Sequence, residues 1–242
     1  MLDGCAVNCH ISGEGSPILY LHGFGGSHKS FMPVILGMRG RMAVAPDLPG
    51  FGESDDPKTA YGVEDYARAV IGLMNELKIS SADIIAHSFG GRIAIYLLAN
   101  FPDRFKRALL CGCAGLRPRR GPRYYFKVYS YKLKKFLKKR GLLAGTDLSG
   151  CGSSDYRSLS PAMKATFVKI VNQNLKTLLP KVVAPVLLVY GDGDRATPLS
   201  MAKTFEKNIR GSALIVMKGC GHFAYLDSLR EFLLIAQSFL GV

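Results

Sequence analysis

The chain has 242 residues, a length that suits one α/β domain with an insertion better than two independent domains. Because 48% of the residues are hydrophobic, a large core can form without disulfides or bound metal. The net charge of +14 is concentrated in one segment, since eleven Lys and Arg residues and no acidic residue stand between Arg117 and Arg140.

The distribution of apolar residues predicts neither export nor membrane insertion. Residues 1–5 contain no charged region and no long apolar stretch, so they do not resemble a secretion signal. The longest apolar runs, such as residues 185–190, are far too short to cross a bilayer. We therefore expect a cytoplasmic protein whose six cysteines are mostly reduced and structural. Cys111 and Cys113, two positions apart in an apolar run, are predicted to lie on one face of a strand.

Short β-branched apolar runs alternate with longer segments of helical periodicity along most of the chain. This alternation is typical of a mostly parallel sheet that is covered by helices on both faces. Strands are predicted at residues 8–12, 18–21, 42–45, 83–86, 107–111, 186–190 and 213–217. Helices are predicted at residues 63–77, 89–100, 199–208 and 228–240.

The alternation breaks between Gly115 and about Pro180, where the sequence is basic, Tyr-rich and Gly/Ser-rich. Residues 161–178 carry a helical apolar stripe, and the strand pattern resumes at Pro185. Such a break is typical of an insertion between two strands of one sheet. We therefore predict a core formed by residues 1–114 and 180–242, with residues 115–179 as a basic helical insertion.

The strongest local signal for chemistry is the run from Asp83 to Gly91, in which a buried strand leads through a tight turn into a helix. The serine of that turn, Ser88, has a small residue two positions before it and another two positions after it, Ala86 and Gly90. Strand and helix approach closely there, so small side chains are required, and the turn lifts the serine hydroxyl above the sheet. Ala86 stands where glycine is usual, a departure of one methyl group. The pattern favours Ser88 as a nucleophile over a simple helix N-cap.

Taken together, five motifs resemble those of the α/β-hydrolase superfamily over almost the whole chain. They follow the family's order and spacing, which is more specific than any one motif. They are His22-Gly23-Phe24-Gly25-Gly26, Asp47-Leu48-Pro49-Gly50-Phe51-Gly52-Glu53-Ser54, Ala86-His87-Ser88-Phe89-Gly90, Gly191-Asp192-Gly193-Asp194 and Gly221-His222-Phe223.

The resemblance implies an α/β-hydrolase fold, with a mostly parallel sheet of about seven strands flanked by helices and the insertion acting as a helical lid. Folds of this family usually begin with a hairpin of two full strands. Here only Met1 and Leu2 precede the first turn, so the first strand is expected to be vestigial or absent. The strand at residues 8–12 would then lie exposed at the edge of the sheet.

A serine hydroxyl needs a base to take its proton, and the chain offers five histidines. His10 lies in the edge segment and His28 in a polar loop, where we expect surface residues. By the resemblance, His22 and His87 occupy positions that support loop structure. His222 follows the last predicted strand in a glycine-flanked loop, and the family's chain order of Ser, acid and His also favours it as the base.

The base in turn needs a carboxylate to orient it and to stabilise its protonated form. Asp192 and Asp194 both follow the predicted strand at 186–190, and the family's spacing favours Asp194, with Asp192 as the alternative. The backbone N–H groups of Phe24 and Phe89 are expected to form an oxyanion hole. Their rings either wall the acyl pocket or pack in the core.

The basic segment can be drawn as an amphipathic helix over residues 125–140, with apolar residues on one face. A lid with an apolar underside and a solvated outer face is the favoured interpretation. Weak association with an anionic membrane or a charged acyl carrier is the next. Nucleic-acid binding is not expected, because no recognisable binding module accompanies the charge.

The predicted function is hydrolysis of carboxylic esters with small or medium acyl groups, through an acyl-enzyme formed on Ser88 with His222 and Asp194. No metal or other cofactor is expected, and the predicted partner is a small-molecule acyl substrate. Hydrolysis of thioesters, of C–C bonds or of N-terminal peptide bonds is an alternative on the same scaffold. A non-catalytic binding protein is an alternative of a different class. The sequence predicts no oligomeric state.

Overall fold

The computed structural model describes residues 5–117, 126, 130, 136 and 159–241. Several predictions therefore lie outside the described residues. They are the vestigial or absent first strand, nearly all of the amphipathic helix at 125–140 and, apart from residues 126, 130 and 136, positions 118–158 of the predicted insertion.

The described residues form seven strands, β1 Cys9–Ser12, β2 Pro17–Leu21, β3 Met42–Pro46, β4 Ala82–His87, β5 Phe105–Cys111, β6 Val186–Gly191 and β7 Ala213–Met217. These strands make one sheet in the order β1-β3-β2-β4-β5-β6-β7. β1 pairs with β3 in the antiparallel sense at one edge, and every other pairing in this sheet is parallel. The predicted fold class, including the edge position of the strand near residue 10, is confirmed.

Helices cover both faces of the sheet because successive strand residues point to opposite sides. In β2, Leu19 and Leu21 pack in one buried cluster with α2, α3 and α5, whereas Ile18 and Tyr20 pack in the other with α1 and α7. The helices are α1 Met32–Gly37, α2 Val63–Glu76, α3 Phe89–Asn100, α4 Pro161–Asn172, α5 Leu199–Asn208, α6 Ala224–Asp227 and α7 Leu229–Leu240.

Three helical features differ from the predictions. α1 and α6 are too short to show a periodic pattern and were not predicted. α4 ends at Asn172 although the apolar stripe runs to residue 178, because Gln173 is extended and is held by contacts outside the helix. Its side-chain oxygen accepts from the N–H of Val63, and its backbone oxygen accepts from Arg92. Within the described part of the chain, no helix is both long and apolar enough to cross a membrane.

The prediction that Cys111 and Cys113 share one face was wrong. Cys111 is the last residue of β5 and packs with α1 and α7, whereas Cys113 packs in the cluster on the opposite face. Gly112 between them has a φ of +50°, which breaks the alternation of an extended strand. Both cysteines are buried, and burial raises the pKa of each thiol, as the prediction of structural thiols implies.

Candidate active site

Ser88 occupies a strained turn between β4 and α3. Its φ of +49° lies in the left-handed region that a side-chain-bearing residue rarely adopts. Backbone hydrogen bonds hold it from both sides. Its N–H donates to the oxygen of Cys111 at 3.0 Å, and its own oxygen accepts from the N–H groups of Gly91 and Ala114, each at 3.1 Å. The turn therefore fixes the position of the serine hydroxyl, which is the geometry that the sequence pattern predicts.

Ser88, His222 and Asp194 form a continuous chain of hydrogen bonds. Oγ of Ser88 lies 3.0 Å from Nε2 of His222, and Nδ1 of the same ring lies 2.8 Å from Oδ2 of Asp194. Because a carboxylate can only accept, Nδ1 carries the ring proton when Asp194 is ionised, and Nε2 is left free to accept from Ser88. Residues that are 134 and 28 positions apart in the sequence are thus brought into contact.

The carboxylate of Asp194 is buried and receives several hydrogen bonds. Oδ1 accepts from the N–H groups of Ala196 at 2.8 Å and Thr197 at 2.9 Å, and Oδ2 accepts from the hydroxyl of Thr197 at 2.6 Å. Burial alone would raise the pKa of Asp194, but the hydrogen bonds from His222 and Thr197 outweigh it and hold the pKa below its usual value. Asp194 is therefore a stable anion beside the imidazole. Sequence reasoning missed Thr197, which follows the acid by three positions in the same loop.

Asp192, the alternative acid, lies in a different contact. Its Oδ1 accepts from the N–H of Gly219 at 2.8 Å, and Asp227 accepts in the same way from the N–H of Gly221 at 2.7 Å. These two carboxylates hold the part of the loop that directly precedes His222. No hydrogen bond between Asp192 and His222 is present among the described residues.

His87, next to Ser88, supports the same loop. Its Nε2 lies 3.0 Å from the backbone oxygen of His222, so that nitrogen carries the proton, and the two rings lie 4.7 Å apart. Burial, followed by the nearby His222, lowers the pKa of His87 to about 3, and the ring is neutral at physiological pH. Its Nδ1 lies 2.8 Å from where a Cβ on Gly23 would stand. His87 therefore joins three loops of the site.

His22 fixes the loop after β2 in a similar way. Its Nε2 accepts from the N–H of Leu48 at 2.9 Å, so the proton is on Nδ1, which donates to the oxygen of Gly23 at 2.8 Å. Burial lowers the pKa of His22 to about 4. In the described part of the chain, the ring that contacts the Ser88 hydroxyl is that of His222, whereas the rings of His22 and His87 bind backbone groups of loops. This agrees with the loop-supporting positions that the resemblance implies.

His28 is more buried than the sequence suggested. Its side chain is only 14% exposed, and its ring and its backbone N–H both contact Oδ1 of Asp47, at 2.8 and 2.6 Å. The ring of His10 stacks on it at 5.7 Å. Burial alone would raise the pKa of Asp47. Hydrogen bonds from the backbone N–H groups of Glu53 and His28 and from the side chains of Asn8 and His28 hold this pKa at about 2. This group joins β1, β3 and the loop after β2 rather than forming part of the Ser88 chain.

The two predicted oxyanion-hole donors, the backbone N–H groups of Phe24 and Phe89, belong to residues that adjoin the Ser88 turn. Phe89 is the first residue of α3, where a backbone N–H has no partner within the helix. Phe24 follows Gly23, which lies against Ser88 and His87. Within the described residues, neither N–H donates a hydrogen bond to another group of the protein. Their role as an oxyanion hole stays a prediction.

Aromatic rings crowd the space beside this chain of residues. The ring of Phe24 lies 4.8 Å from Phe51, 5.8 Å from Phe89 and 5.0 Å from Phe167. Phe89 and Phe51 are buried, whereas Phe24 and Phe167 are half-buried and reach solvent-facing space. Phe167 belongs to α4, so the predicted insertion contributes directly to this wall.

The C-terminal part of the predicted insertion is tied firmly to the core. The N–H of Tyr61 donates to Oγ1 of Thr166 at 2.9 Å, and the N–H of Leu175 donates to the oxygen of Gly115 at 2.9 Å. Gly115 and Leu175, near the two ends of the segment, are therefore in contact, and the assignment of the segment as an insertion stays a prediction. Among the residues that the structure covers, no group of three or more His, Cys, Asp or Glu side chains is arranged to hold a metal ion.

Comparison with known proteins agrees with this geometry. Residues 18–233 match the alpha/beta hydrolase family. The chain belongs to the α/β-hydrolase family. It is therefore an enzyme of the hydrolase class, and the predicted family and class are confirmed.

Two relatives that are named as hydrolases of defined compounds match nearly all of the chain. A 2-hydroxy-6-oxo-2,4-heptadienoate hydrolase of Pseudomonas putida is 24% identical over 98% of this chain and 93% of its own length. A 2-hydroxymuconate semialdehyde hydrolase of a Pseudomonas species is 26% identical over 98% of this chain and 91% of its own length.

Solved structures are similar over the same extent. An esterase from Exiguobacterium antarcticum has a TM-score of 0.80 and 22% identity, covering 100% of this chain and 97% of that one. An enol-lactonase from Burkholderia xenovorans has a TM-score of 0.77 and 21% identity, covering 100% of this chain and 98% of that one. At these identities the likeness establishes the α/β-hydrolase fold and not the reaction.

Proposed function

We propose that this enzyme hydrolyses carboxylic esters of small or medium acyl groups, with Ser88 as nucleophile, His222 as base and Asp194 as the acid that orients the base. The observation that carries the proposal is the pair of contacts at His222: 3.0 Å from Nε2 to the Ser88 hydroxyl and 2.8 Å from Nδ1 to Asp194. A serine hydroxyl in such a chain can pass its proton to the ring as it attacks a carbonyl carbon.

In the first half of the reaction, Oγ of Ser88 bonds to the ester carbonyl carbon and its proton moves to Nε2 of His222. The electron pair of the C=O bond moves onto the carbonyl oxygen, where the N–H groups of Phe24 and Phe89 would stabilise it. His222 then gives its proton to the leaving alkoxide as the C–O bond breaks. The C=O bond re-forms as the alcohol leaves, and Ser88 is left carrying the acyl group beside a neutral imidazole. The nearby Asp194 carboxylate stabilises the ring during the interval in which it is charged, before it gives up its proton.

In the second half, water replaces the alcohol. His222 takes a proton from water, the resulting hydroxide attacks the acyl carbon, and the proton returns to Oγ of Ser88 as the acid leaves. No step requires a metal or an organic cofactor. The same three residues therefore serve both half-reactions.

The half-buried rings of Phe24 and Phe167 support the assignment of small or medium acyl groups. Their ring centroids lie 5.0 Å apart, and the ring of Phe24 also lies 4.8 Å from Phe51 and 5.8 Å from Phe89, the residue after Ser88. An apolar wall of this kind favours an apolar acyl chain and limits its bulk. The partner that we propose is accordingly a small-molecule acyl substrate.

The test is a panel of p-nitrophenyl esters of rising acyl length, assayed with the wild type and with a Ser88→Ala variant as blank. Turnover of the short and medium esters, lost in the variant, is the expected result. Turnover that persists in a folded Ser88→Ala variant would refute the role of Ser88. Acyl thioesters and aminoacyl p-nitroanilides in the same panel decide between ester, thioester and N-terminal peptide hydrolysis.

C–C bond hydrolysis is the second candidate. The two Pseudomonas relatives are named as hydrolases of 2-hydroxy-6-oxo-2,4-heptadienoate and 2-hydroxymuconate semialdehyde, compounds that are hydrolysed at a C–C bond. It uses the same serine, base and acid, with a carbon leaving group in place of an alkoxide. The discriminating measurement is the absorbance decay of 2-hydroxy-6-oxo-2,4-heptadienoate with purified enzyme. A kcat/KM on this compound far above that on every ester would replace the esterase proposal.

The basic segment between Arg117 and Arg140 supports a further, separate prediction. Eleven cationic side chains without an acidic one would favour an anionic surface or carrier, and such binding weakens as salt rises. Sedimentation with phosphatidylserine vesicles at low and high salt tests it. Equal recovery with neutral vesicles would show that charge is not the cause.

A further inference from the structure

The hydroxyl of Thr197 lies among three polar atoms of the site. Its Oγ1 is 2.6 Å from Oδ2 of Asp194, 3.1 Å from the backbone oxygen of Gly112 and 3.3 Å from Nδ1 of His222. The residue is only 3% exposed, so water cannot replace a hydrogen bond that the protein fails to make. A buried hydroxyl at this position therefore has a defined partner.

The direction of this hydrogen bond follows from the number of protons available. Nδ1 of His222 carries a proton that it donates to Asp194, so it cannot accept from Thr197. The single hydroxyl hydrogen has two acceptors left, the Asp194 carboxylate at 2.6 Å and the Gly112 carbonyl at 3.1 Å. The shorter, charge-assisted bond to the carboxylate is the stronger one.

Oδ2 of Asp194 is thus shared between two side-chain donors. Thr197 donates from one side at 2.6 Å, and His222 donates from the other at 2.8 Å. Among the described residues, the donors to Oδ1 are the backbone N–H groups of Ala196 and Thr197. A substitution of the Thr197 side chain would remove one donor from the oxygen that faces the imidazole and leave the two backbone donors in place.

We propose that Thr197 is a positioning residue, whose hydroxyl orients the Asp194 carboxylate and, by sharing Oδ2 with His222, sets the proton affinity of the imidazole. This inference rests on the roles proposed above for Asp194 and His222. A donor on Oδ2 spreads the negative charge of the carboxylate and weakens its hold on a charged imidazole. Removing that donor leaves more charge for the imidazolium, so the protonated form of His222 is favoured up to a higher pH.

The other titratable groups around Thr197, Asp194 and His222 are the same in the wild type and the Thr197 variants, and His87 and Cys111 do not titrate in the range of the experiment. Burial leaves the His87 ring neutral, with a pKa of about 3, and raises the pKa of the Cys111 thiol to about 12, so neither changes charge between pH 5 and 9. Burial also raises the pKa of the Tyr190 phenol. The facing groups are His87 on β4, Cys111 on β5, Tyr190 on β6, Asp192 and Cys220 in the flanking loops and Asp227 on α6.

The experiment compares Thr197→Val with Thr197→Ser. Valine keeps the shape of threonine and removes the hydroxyl, whereas serine keeps the hydroxyl and removes a methyl group. The acidic limb of the kcat/KM profile on p-nitrophenyl acetate is measured from pH 5 to 9. For Thr197→Val we expect the limb to move to higher pH by about half a unit. We also expect kcat to fall about tenfold, as for loss of one charge-assisted hydrogen bond, with KM little changed.

Thr197→Ser should return the limb and kcat to near the wild-type values. A folded Thr197→Val enzyme whose limb stays in place would overturn the proposal, even if its melting temperature falls. A purely structural threonine would lower the melting temperature of both variants and leave both profiles unmoved. If Thr197→Val does not fold, Thr197→Ala takes its place in the same comparison.

A second measurement does not depend on any substrate. The imidazole pKa of His222 is followed by ¹H–¹⁵N NMR in the wild type and the variants, with His222→Gln to assign the signal. The expected result is an upward shift in Thr197→Val and none in Thr197→Ser. If no ester is turned over, the proposed function fails, while an upward shift still supports Thr197; an unshifted signal overturns the Thr197 inference alone.

Discussion

Gly90 lies directly against the backbone of Leu21: a Cβ on Gly90 would stand 2.0 Å from the Leu21 carbonyl oxygen. Leu21 is the last residue of β2, and Gly90 is the second residue of α3, so this contact sets how closely the turn at Ser88 approaches the sheet. On the other side of the turn, Ala86 is fully buried in β4 and pairs with Leu21. At Ala86 the fold therefore accommodates a methyl group, whereas at Gly90 it leaves no space for one.

Gly90→Ala should destabilise the fold far more than Ala86→Gly does. The atom that the new methyl group meets is backbone and cannot move aside, so we expect a loss of about 2–3 kcal/mol in the free energy of unfolding. Ala86→Gly removes one methyl group from a strand, which costs about 1 kcal/mol. Urea unfolding of both variants checks the difference, and equal losses would contradict it.

Ser88→Ala should abolish ester turnover and labelling by a fluorophosphonate probe, because the hydroxyl that attacks both is gone. Ser200→Ala is the matched control, since Ser200 is exposed on α5. Intact-mass spectrometry of the labelled wild type should show one added probe. After digestion, that probe should be found on the peptide that contains Ser88. Labelling of Ser88→Ala at the wild-type rate would place the reactive serine elsewhere.

Asp194→Asn and Asp192→Asn should separate the two candidate acids. An amide at Asp194 cannot hold the imidazole in the required tautomer, so kcat/KM on p-nitrophenyl acetate should fall by about 10³–10⁴. Asp192 instead binds the N–H of Gly219 at 2.8 Å, and its amide keeps an oxygen that can accept there. We expect less than about a tenfold loss for that variant. The reverse order would assign the acid to Asp192.

Phe167→Ala should shift the ester preference toward longer acyl chains. The ring that lies 5.0 Å from Phe24 would be removed, and the space would accept further methylene groups, each contributing about 0.8 kcal/mol on burial. Val168→Ala is the control on the same helix, because Val168 is 48% exposed. The ratio of kcat/KM for octanoate and acetate esters is the measurement, and an identical change in both variants would remove Phe167 from the pocket.

Stability should fall as the pH drops from about 6.5 to about 4, because of His22 and His87. Burial lowers their folded-state pKa values to about 4 and about 3 from an ordinary value of 6.5. In this window the unfolded chain binds protons that the folded chain does not, so each histidine contributes a slope of about 1.4 kcal/mol per pH unit. The pKa values of Asp47 and Asp194 lie below their ordinary range, so both carboxylates titrate at lower pH.

Urea unfolding of the wild type and of His87→Gln at half-unit steps from pH 4.5 to 7 measures this slope. Glutamine keeps a donor for the backbone oxygen of His222 and does not titrate. In the variant, the slope of the free energy of unfolding against pH should be smaller by about 1.4 kcal/mol per pH unit, the contribution of one bound proton. An unchanged slope would mean that His87 is protonated in the folded state.

Much of the architecture could be predicted from local patterns alone. A short β-branched run predicts a buried strand. A strand followed by a serine between small residues and then a helix predicts the tight turn that presents the serine hydroxyl. The seven strands and the turn at Ser88 were therefore predicted. α1 and α6, each of six residues or fewer, have too few turns to show a period, so they were not.

Contacts between distant loops could not be predicted, because no local pattern encodes them. Thr197 and His222 are 25 positions apart, and their approach depends on how the loops after β6 and β7 pack. The pairing of His28 with Asp47 depends in the same way on two loops that meet beside β1. Cys111 and Cys113 lie on opposite faces because Gly112 between them has a positive φ, and the periodicity of a strand does not predict such a turn.

Local motifs are enough to predict the order of Ser88, Asp194 and His222 and the small residues that let the serine turn form. The contact of Asp194 rather than Asp192 with the imidazole, and the sharing of its Oδ2 with Thr197, are seen only in the folded chain. This is because the strength of a hydrogen bond changes when the distance between donor and acceptor changes by a few tenths of an ångström. Such distances are fixed by packing of the whole sheet and not by spacing along the chain.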